Sequence, residues 1–212
     1  MLVPPEILGG HLGAGRAHIT GRVSSLAFRL VTAFFGSAGI EWALTTADAS
    51  ERAMVAAWVA EHKARRSLLH GGVAVRGEIL DGEPVVHGVV AADGSEALYA
   101  VVQLAQGGRA LPGPVRLVGL DPTRTYRVRV LPVGEVPGVV PREDVLPGAM
   151  QDAPPPWLAP ERLDAGVELP GRVLTEVGLP MVLMRPEQAL LLEVTAVATP
   201  PDPARSGADP HL

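Results

Sequence analysis

No cysteine occurs among the 212 residues, which excludes a disulfide framework, a thiolate nucleophile and every cysteine-ligated zinc or iron–sulfur centre. Lysine is nearly missing as well: Lys63 is the single exception among 18 basic residues. Acidic residues number 23, so the net charge is -5 and the pI is near 5.7. Neither a nucleic acid nor an anionic membrane is expected as a partner. No run of about 18 apolar residues is present, and Met1-Leu-Val-Pro-Pro-Glu has no basic segment leading into an apolar one. The expectation is a cytoplasmic chain without a secretory leader or a membrane span. Gly-x-x-x-x-Gly-Lys-Ser/Thr is missing, as is a strand followed by Gly-x-Gly-x-x-Gly and a distal acid, so nucleotide binding is not expected. Gly-x-Ser-x-Gly is missing too, which removes the hydrolase nucleophile elbow. No cofactor is expected.

What is present is a globular balance of 47% hydrophobic and 19% charged residues, punctuated by 24 Gly and 21 Pro. Val23, Leu26, Ala27, Leu30, Val31, Phe34 and Ala38 recur at helical spacing and predict a helix over 23–36, with Phe28 and Phe35 widening its apolar face. A second helix is predicted over 50–70: Asp48 or Ser50 caps it, Arg65, Arg66 and His70 suit its negative end, and Gly71-Gly72 stop it. Met54, Ala57, Trp58, Leu68 and Leu69 form its inner stripe, and Glu61, His62 and Lys63 its solvated face. After Gly72 the period changes from 3.6 to 2, which places a boundary near 71. Strands are predicted over 73–79, 85–91, 97–104, 115–120, 126–131 and 190–197, with weaker ones over 166–169 and 181–184. Asp81-Gly82, Asp93-Gly94, Gly107-Gly108 and Asp121-Pro122 supply turns. The spacing suits an antiparallel sandwich. Eight prolines between 132 and 160 predict a long surface loop, and 199–212, with little to bury, a disordered tail.

The chemistry-bearing segment is the glycine-rich stretch 9–22, which carries His11, Arg16, His18, Thr20 and Arg22. Gly13-Ala14-Gly15 ahead of a helix suits an anion, but its spacing matches no phosphate motif. His11 and His18 are candidates for paired acid/base work or for metal ligation. A third ligand would have to come from far along the chain, so two loop histidines bonded to backbone are the simpler explanation. His70 beside a helix end and His87 in mid-strand need no function. Glu41-Trp42 places a carboxylate beside a stacking platform, though such a tryptophan also suits a core.

Read in order, Gly10-His11-Leu12-Gly13, His18-Ile19-Thr20-Gly21-Arg22, Ser25-Leu26-Ala27-Phe28-Arg29, Ala33-Phe34-Phe35-Gly36, Gly39-Ile40-Glu41-Trp42 and Arg185-Pro186-Glu187-Gln188-Ala189-Leu190-Leu191-Leu192-Glu193-Val194 resemble the C-terminal third of bacterial alpha-galactosidases of glycoside hydrolase family 36. The resemblance runs over about 1–198. It implies an α+β chain: 1–70 as the last strand and helices of a (β/α)8 barrel, and 71–198 as a C-terminal antiparallel β-sandwich. It also implies metal-free, retaining hydrolysis of terminal alpha-linked galactose, with galactosides as partners. The stretch 9–22 would then lie at the substrate face of the barrel, with His11, His18 and Arg22 as substrate-binding residues.

The departures limit what carries over. Retaining glycosidases need two carboxyl groups about 5 Å apart. In this family the nucleophile follows a Lys-x-Asp pattern and the acid/base lies in a Ser-Asp segment. Neither occurs here, because no aspartate follows serine and Lys63 has Arg65 two places later. Ala43 stands where the family tends to have an acid, and Ser37 where it tends to have His or Asn. No catalytic residue is therefore assigned, and the expectation is a fragment, inactive alone, whose catalytic segments lie upstream of Met1. Its helix 23–36 should lack neighbours for Phe28, Phe34 and Phe35, so that 1–70 collapses onto the sandwich, self-associates or docks on a separate barrel chain. The other reading is a non-catalytic carbohydrate-associated or domain-packing module.

Overall fold

Central strands covered on both faces by apolar side chains read as continuous hydrophobic runs, and two such runs organise this protein. The computed structural model describes residues 7–107, 112–136 and 154–198. Within these, β1 (Gly9–Gly13), α1 (Leu26–Thr32) and β2 (Ser37–Glu41) come first, followed by α2 (Ala49–Ala64) and α3 (Arg66–Gly71). The strands β3 (Val73–Arg76), β4 (Val85–Val90), β5 (Glu96–Gln103), β6 (Thr125–Gly134), β7 (Val167–Pro170) and β8 (Gln188–Ala196) complete the chain. β1 and β2 pair in parallel as a separate two-stranded sheet, and β3 to β8 form one antiparallel sheet in the order β3-β4-β5-β8-β6-β7. The architecture is thus mixed helix and strand around a six-stranded antiparallel sheet.

β5 and β8 occupy the middle of that sheet and are buried on both faces. Ala97, Tyr99, Val101, Leu190, Leu192 and Val194 belong to one core, and Leu98, Ala100, Val102, Ala189 and Leu191 to the other. The first core is closed by irregular segments and short turns that contribute Val115, Leu117, Trp157, Leu158, Leu174 and Met181. The second is closed by helices, through Leu30, Val31, Phe34, Val55, Trp58 and Leu69, and by Leu12 of β1.

This corrects several expectations. The second sheet of a sandwich is not formed among the described residues. The predicted strand 115–120 reduces to one isolated bridge, Val115 to Leu179, and 181–184 forms neither strand nor bridge. The helix predicted over 23–36 is shorter: Ser25 caps it, its Oγ accepting from Phe28 N at 3.2 Å, while Val23 is exposed and bridges back to Arg16. Phe28, Phe34 and Phe35 do not lack neighbours, since all three are buried in the core shared with the sheet. Among the described residues α1 packs on the sheet through β6 and β8. The glycine-rich stretch is not all loop, because β1 and β2 hold each other in parallel register.

The helix expected over 50–70 breaks at Arg65 into α2 and α3, and Asp48 is its cap, in a reciprocal pair with Glu51. Ala57 is exposed and Val55 takes its inward place, while His62, expected in solvent, is buried against Phe34 and Trp58. The proline-rich stretch is also more ordered than composition predicts at its ends. Pro132 lies inside β6, where a register shift between Val130 and Gly134 frees the position from the ladder. Trp157 is buried, its Nε1 donating to Pro180 O at 2.7 Å. The middle of that stretch, 137–153, the tail 199–212, the start 1–6 and Gly108 lie outside the described residues. No helix among the described residues is long and apolar enough to cross a membrane.

Candidate functional site

Parallel pairing of β1 with β2 brings Gly13 and Glu41 to the same end, so the segments 14–25 and 42–48 both leave from one side. α1 connects the strands and packs on the face that Leu12 turns inward. His11 and its cross-strand neighbour Gly39 lie on the opposite face. A Cβ at Gly39 would come within 3.0 Å of His11 Cδ2, so the glycine leaves space for the imidazole.

Arg29, on α1, organises this end. Its Nη1 donates to the carbonyl of Gly13 and its Nε to the carbonyl of Ser24 at 3.3 Å, while its guanidinium carbon lies 5.3 Å from the Trp42 ring centre. Burial pushes the Arg29 pKa down and attraction to Glu51 opposes it, yet a guanidinium stays charged at any physiological pH. The 14–25 segment is closed by backbone hydrogen bonds from Ala17 N to Arg22 O at 2.8 Å, Gly21 N to Ala17 O at 2.9 Å and Ser24 N to Gly15 O at 3.0 Å. Gly21, at φ 67°, supplies the turn that a side chain would strain.

Among the expected site residues, His11 is exposed on β1 and His18 sits at the exposed tip beside the fully solvated Ile19. Arg22 is drawn away to Glu187, Nε to Oε1 at 3.3 Å. No hydrogen bond or ion pair joins the three to one another. Sequence reasoning took Arg29 and Ser24 for helix residues, and their contacts depend on where the chain folds back. A periodic pattern carries no such signal. Among the described residues no group of three or more His, Asp or Glu is placed to hold a metal ion. A cleft of about 450 Å³, lined by Gly77, Glu78, Leu80, Glu83, Arg116 and Thr175 among others, shares no residue with the strand-end site.

A charged cluster fastens α2 to the sheet. Arg65 Nε donates to Glu193 Oε1 at 3.1 Å, Arg129 Nε donates to Glu193 Oε2, and Arg65 also pairs with Glu61. Burial pushes the Glu193 pKa up, but hydrogen bonds from Arg129 and Arg65 outweigh it and hold the carboxyl below its usual range. His62 is pushed down by burial first, its hydrogen bond to the Gly36 backbone carbonyl opposing and Arg66 and His70 adding to the fall. Its Nε2 has no hydrogen-bond partner. His87 is likewise pushed down by burial and then by Arg76, its ring 4.6 Å from that of Phe35.

Comparison with known proteins assigns both halves of the chain. Residues 1–72 match the Melibiase family model and residues 84–193 that of the glycosyl hydrolase family 36 C-terminal domain. The alpha-galactosidase of Escherichia coli is 35% identical over 189 residues, which are 89% of this chain and 25% of that protein. AgaA, an alpha-galactosidase of Geobacillus stearothermophilus, is 32% identical over 134 residues, 63% of this chain and 18% of that protein. The chain therefore spans a quarter or less of the length of the curated relatives it matches. Among solved structures, a doubly substituted variant of the Geobacillus stearothermophilus enzyme AgaA in complex with raffinose superposes with a TM-score of 0.68 at 25% identity, over 92% of this chain and 22% of that one. Another variant of the same enzyme, in complex with stachyose, gives 0.66 at 26% identity, with the same coverage. The chain belongs to glycosyl hydrolase family 36, whose C-terminal domain its larger sheet represents.

Proposed function

We propose that this chain serves a retaining alpha-galactosidase that removes terminal alpha-linked galactose from oligosaccharides of the raffinose kind, and that it supplies the closing part of the catalytic barrel with the domain behind it. In this reading β1, α1 and β2 are a strand–helix–strand unit of a (β/α)8 barrel, 1–70 is the barrel portion and 71–198 the C-terminal domain. The parallel pairing of β1 with β2, with both connecting segments gathered at their C-terminal ends, is the observation that carries it. That side of a barrel is where substrate is bound. His11, on the face opposite α1, and His18 and Arg22, in the segment after β1, are then positioned to meet galactose hydroxyls.

The carboxylate pair belongs to another part of the barrel, because no Lys-x-Asp or Ser-Asp segment occurs in these 212 residues. A cytoplasmic setting and docking on a barrel chain, or on a second copy, complete the proposal. As a module that only packs against a neighbouring domain, the chain has one observation in its favour: the α1 aromatics are already buried on its own sheet. A chimera tests the choice. Exchanging the matching 189-residue region of the Escherichia coli enzyme for this chain should yield a protein that hydrolyses an aryl alpha-galactoside, with KM rising in His11→Ala and His18→Ala. A folded, inactive chimera would reject the enzymatic reading.

A further inference from the structure

Among the described residues Glu187 is the one non-glycine residue with a positive φ, at 62°. That region crowds the Cβ of an L-residue against its own backbone, so a glutamate stays there only where its surroundings over-determine it. The backbone here is pinned. Glu187 N donates to Gln103 O at 2.8 Å, and the buried side chain of Gln103 donates through Nε2 to Gly82 O at 3.0 Å and to Ala105 O. The next residue closes the same turn, with Arg185 N donating to Gln188 Oε1 at 2.7 Å.

The side chain points away from this turn to the other end of the sequence. Ser24 Oγ donates to Glu187 Oε2 at 2.7 Å, and Arg22 Nε lies 3.3 Å from Glu187 Oε1. Both partners belong to the segment that leaves the C-terminal end of β1. From Ser24 the contacts continue: its amide donates to Gly15 O, its carbonyl receives Arg29 Nε, and Arg29 reaches Gly13 and Trp42. Glycine would adopt this backbone at no steric cost. The turn alone does not call for a glutamate; the carboxylate does.

We propose that Glu187 is a positioning residue, its left-handed backbone aiming a carboxylate out of the sheet to clamp Ser24 and Arg22 and so set the shape of the strand-end segment that carries His18 and Arg22. The sheet domain then fixes the geometry of the substrate face as well as packing behind it. That this segment faces a galactoside rests on the reading above, whereas the clamp itself does not.

Hydrogen exchange resolved at single amides in the 212-residue chain separates the two. Glu187→Gly is expected to speed exchange at Ala17, Gly21 and Ser24 tenfold or more, with Tm equal or higher and amides of 98–101 and 190–192 as protected as before. Ser24→Ala should act in the same direction, and the double variant should exchange no faster than Glu187→Gly alone. Glu187→Gln, whose amide oxygen still accepts from Ser24 but no longer attracts Arg22, should fall between. In the active chimera Glu187→Gly should lower kcat/KM for an aryl alpha-galactoside tenfold or more, and Glu187→Gln less. Unchanged exchange in Glu187→Gly, additive effects in the double variant, or a fallen Tm with protection lost across the sheet would each overturn the clamp. A loosened segment with kcat/KM unaltered would overturn its role in positioning.

Discussion

Phe34→Ala probes whether the N-terminal third of the chain is held by the sheet. Phe34 is fully buried, with ring centres 6.1 Å from Phe35, 6.3 Å from Trp58 and 5.4 Å from His62, all edge-on. Burying a phenylalanine side chain is worth about 1.5–3 kcal/mol, and an edge-to-face pair adds about 0.5–1.5 kcal/mol. Trp58 limits how far the cavity can close, since its Nε1 is tied to Leu30 O at 2.7 Å. Little relaxation means a cost toward the upper part of the usual range, about 3–5 kcal/mol. Urea unfolding followed by tryptophan fluorescence measures it, with the denaturant slope unchanged. Because a domain of this kind holds about 5–15 kcal/mol in all, the midpoint should fall steeply. Ile19→Ala, at a fully exposed position, should leave it in place. A loss under about 1 kcal/mol for Phe34→Ala would refute the reasoning, because these aromatics would then not be joined to the sheet in one cooperative unit.

His62 and His87 both have pKa values below the ordinary histidine value, so they fold neutral. The unfolded chain takes up their protons first, and stability should fall as pH drops below about 6.5, by up to about 1.4 kcal/mol per pH unit for each group. His62→Phe removes the unpartnered Nε2 from an aromatic surround, so it should flatten that slope in pH-dependent thermal melts; an unaltered slope would count against it. Glu193→Gln should cost about 1–3 kcal/mol at neutral pH by leaving Arg65 and Arg129 under-paired. Glu193 has a depressed pKa, so its contribution is present above about pH 4.3 and lost as pH falls through the folded value. The variant should therefore lose less on acidification than the parent.

Local physics made part of this protein legible. Tyr126-Arg127-Val128-Arg129-Val130 alternates because one side of β6 meets the core and the other carries Arg127 and Arg129, each paired with a glutamate. Asp93-Gly94 turns β4 into β5, with Gly94 at φ 68°. β1 and β2 were not legible, since Gly-Gly-His-Leu-Gly and Ser-Ala-Gly-Ile-Glu have little strand propensity and exist through their mutual register. Nor was the inward turn of His62, whose neighbours in sequence are the charged Glu61 and Lys63. Phe34 lies 28 positions away and fixes it. The Glu187 clamp joins positions 163 and 165 apart, with no local trace except an otherwise unnecessary glutamate in a turn.

In the proposed function the strand-end segment lies in this chain and the two carboxylates lie elsewhere in the barrel. Hydrolysis of an aryl alpha-galactoside by the purified 212-residue protein tests that division directly. No turnover above buffer is the predicted result, because displacement at the anomeric carbon needs both carboxyl groups. Turnover that follows the protein through purification and disappears in His11→Ala would show a complete active site within these residues, and would contradict it.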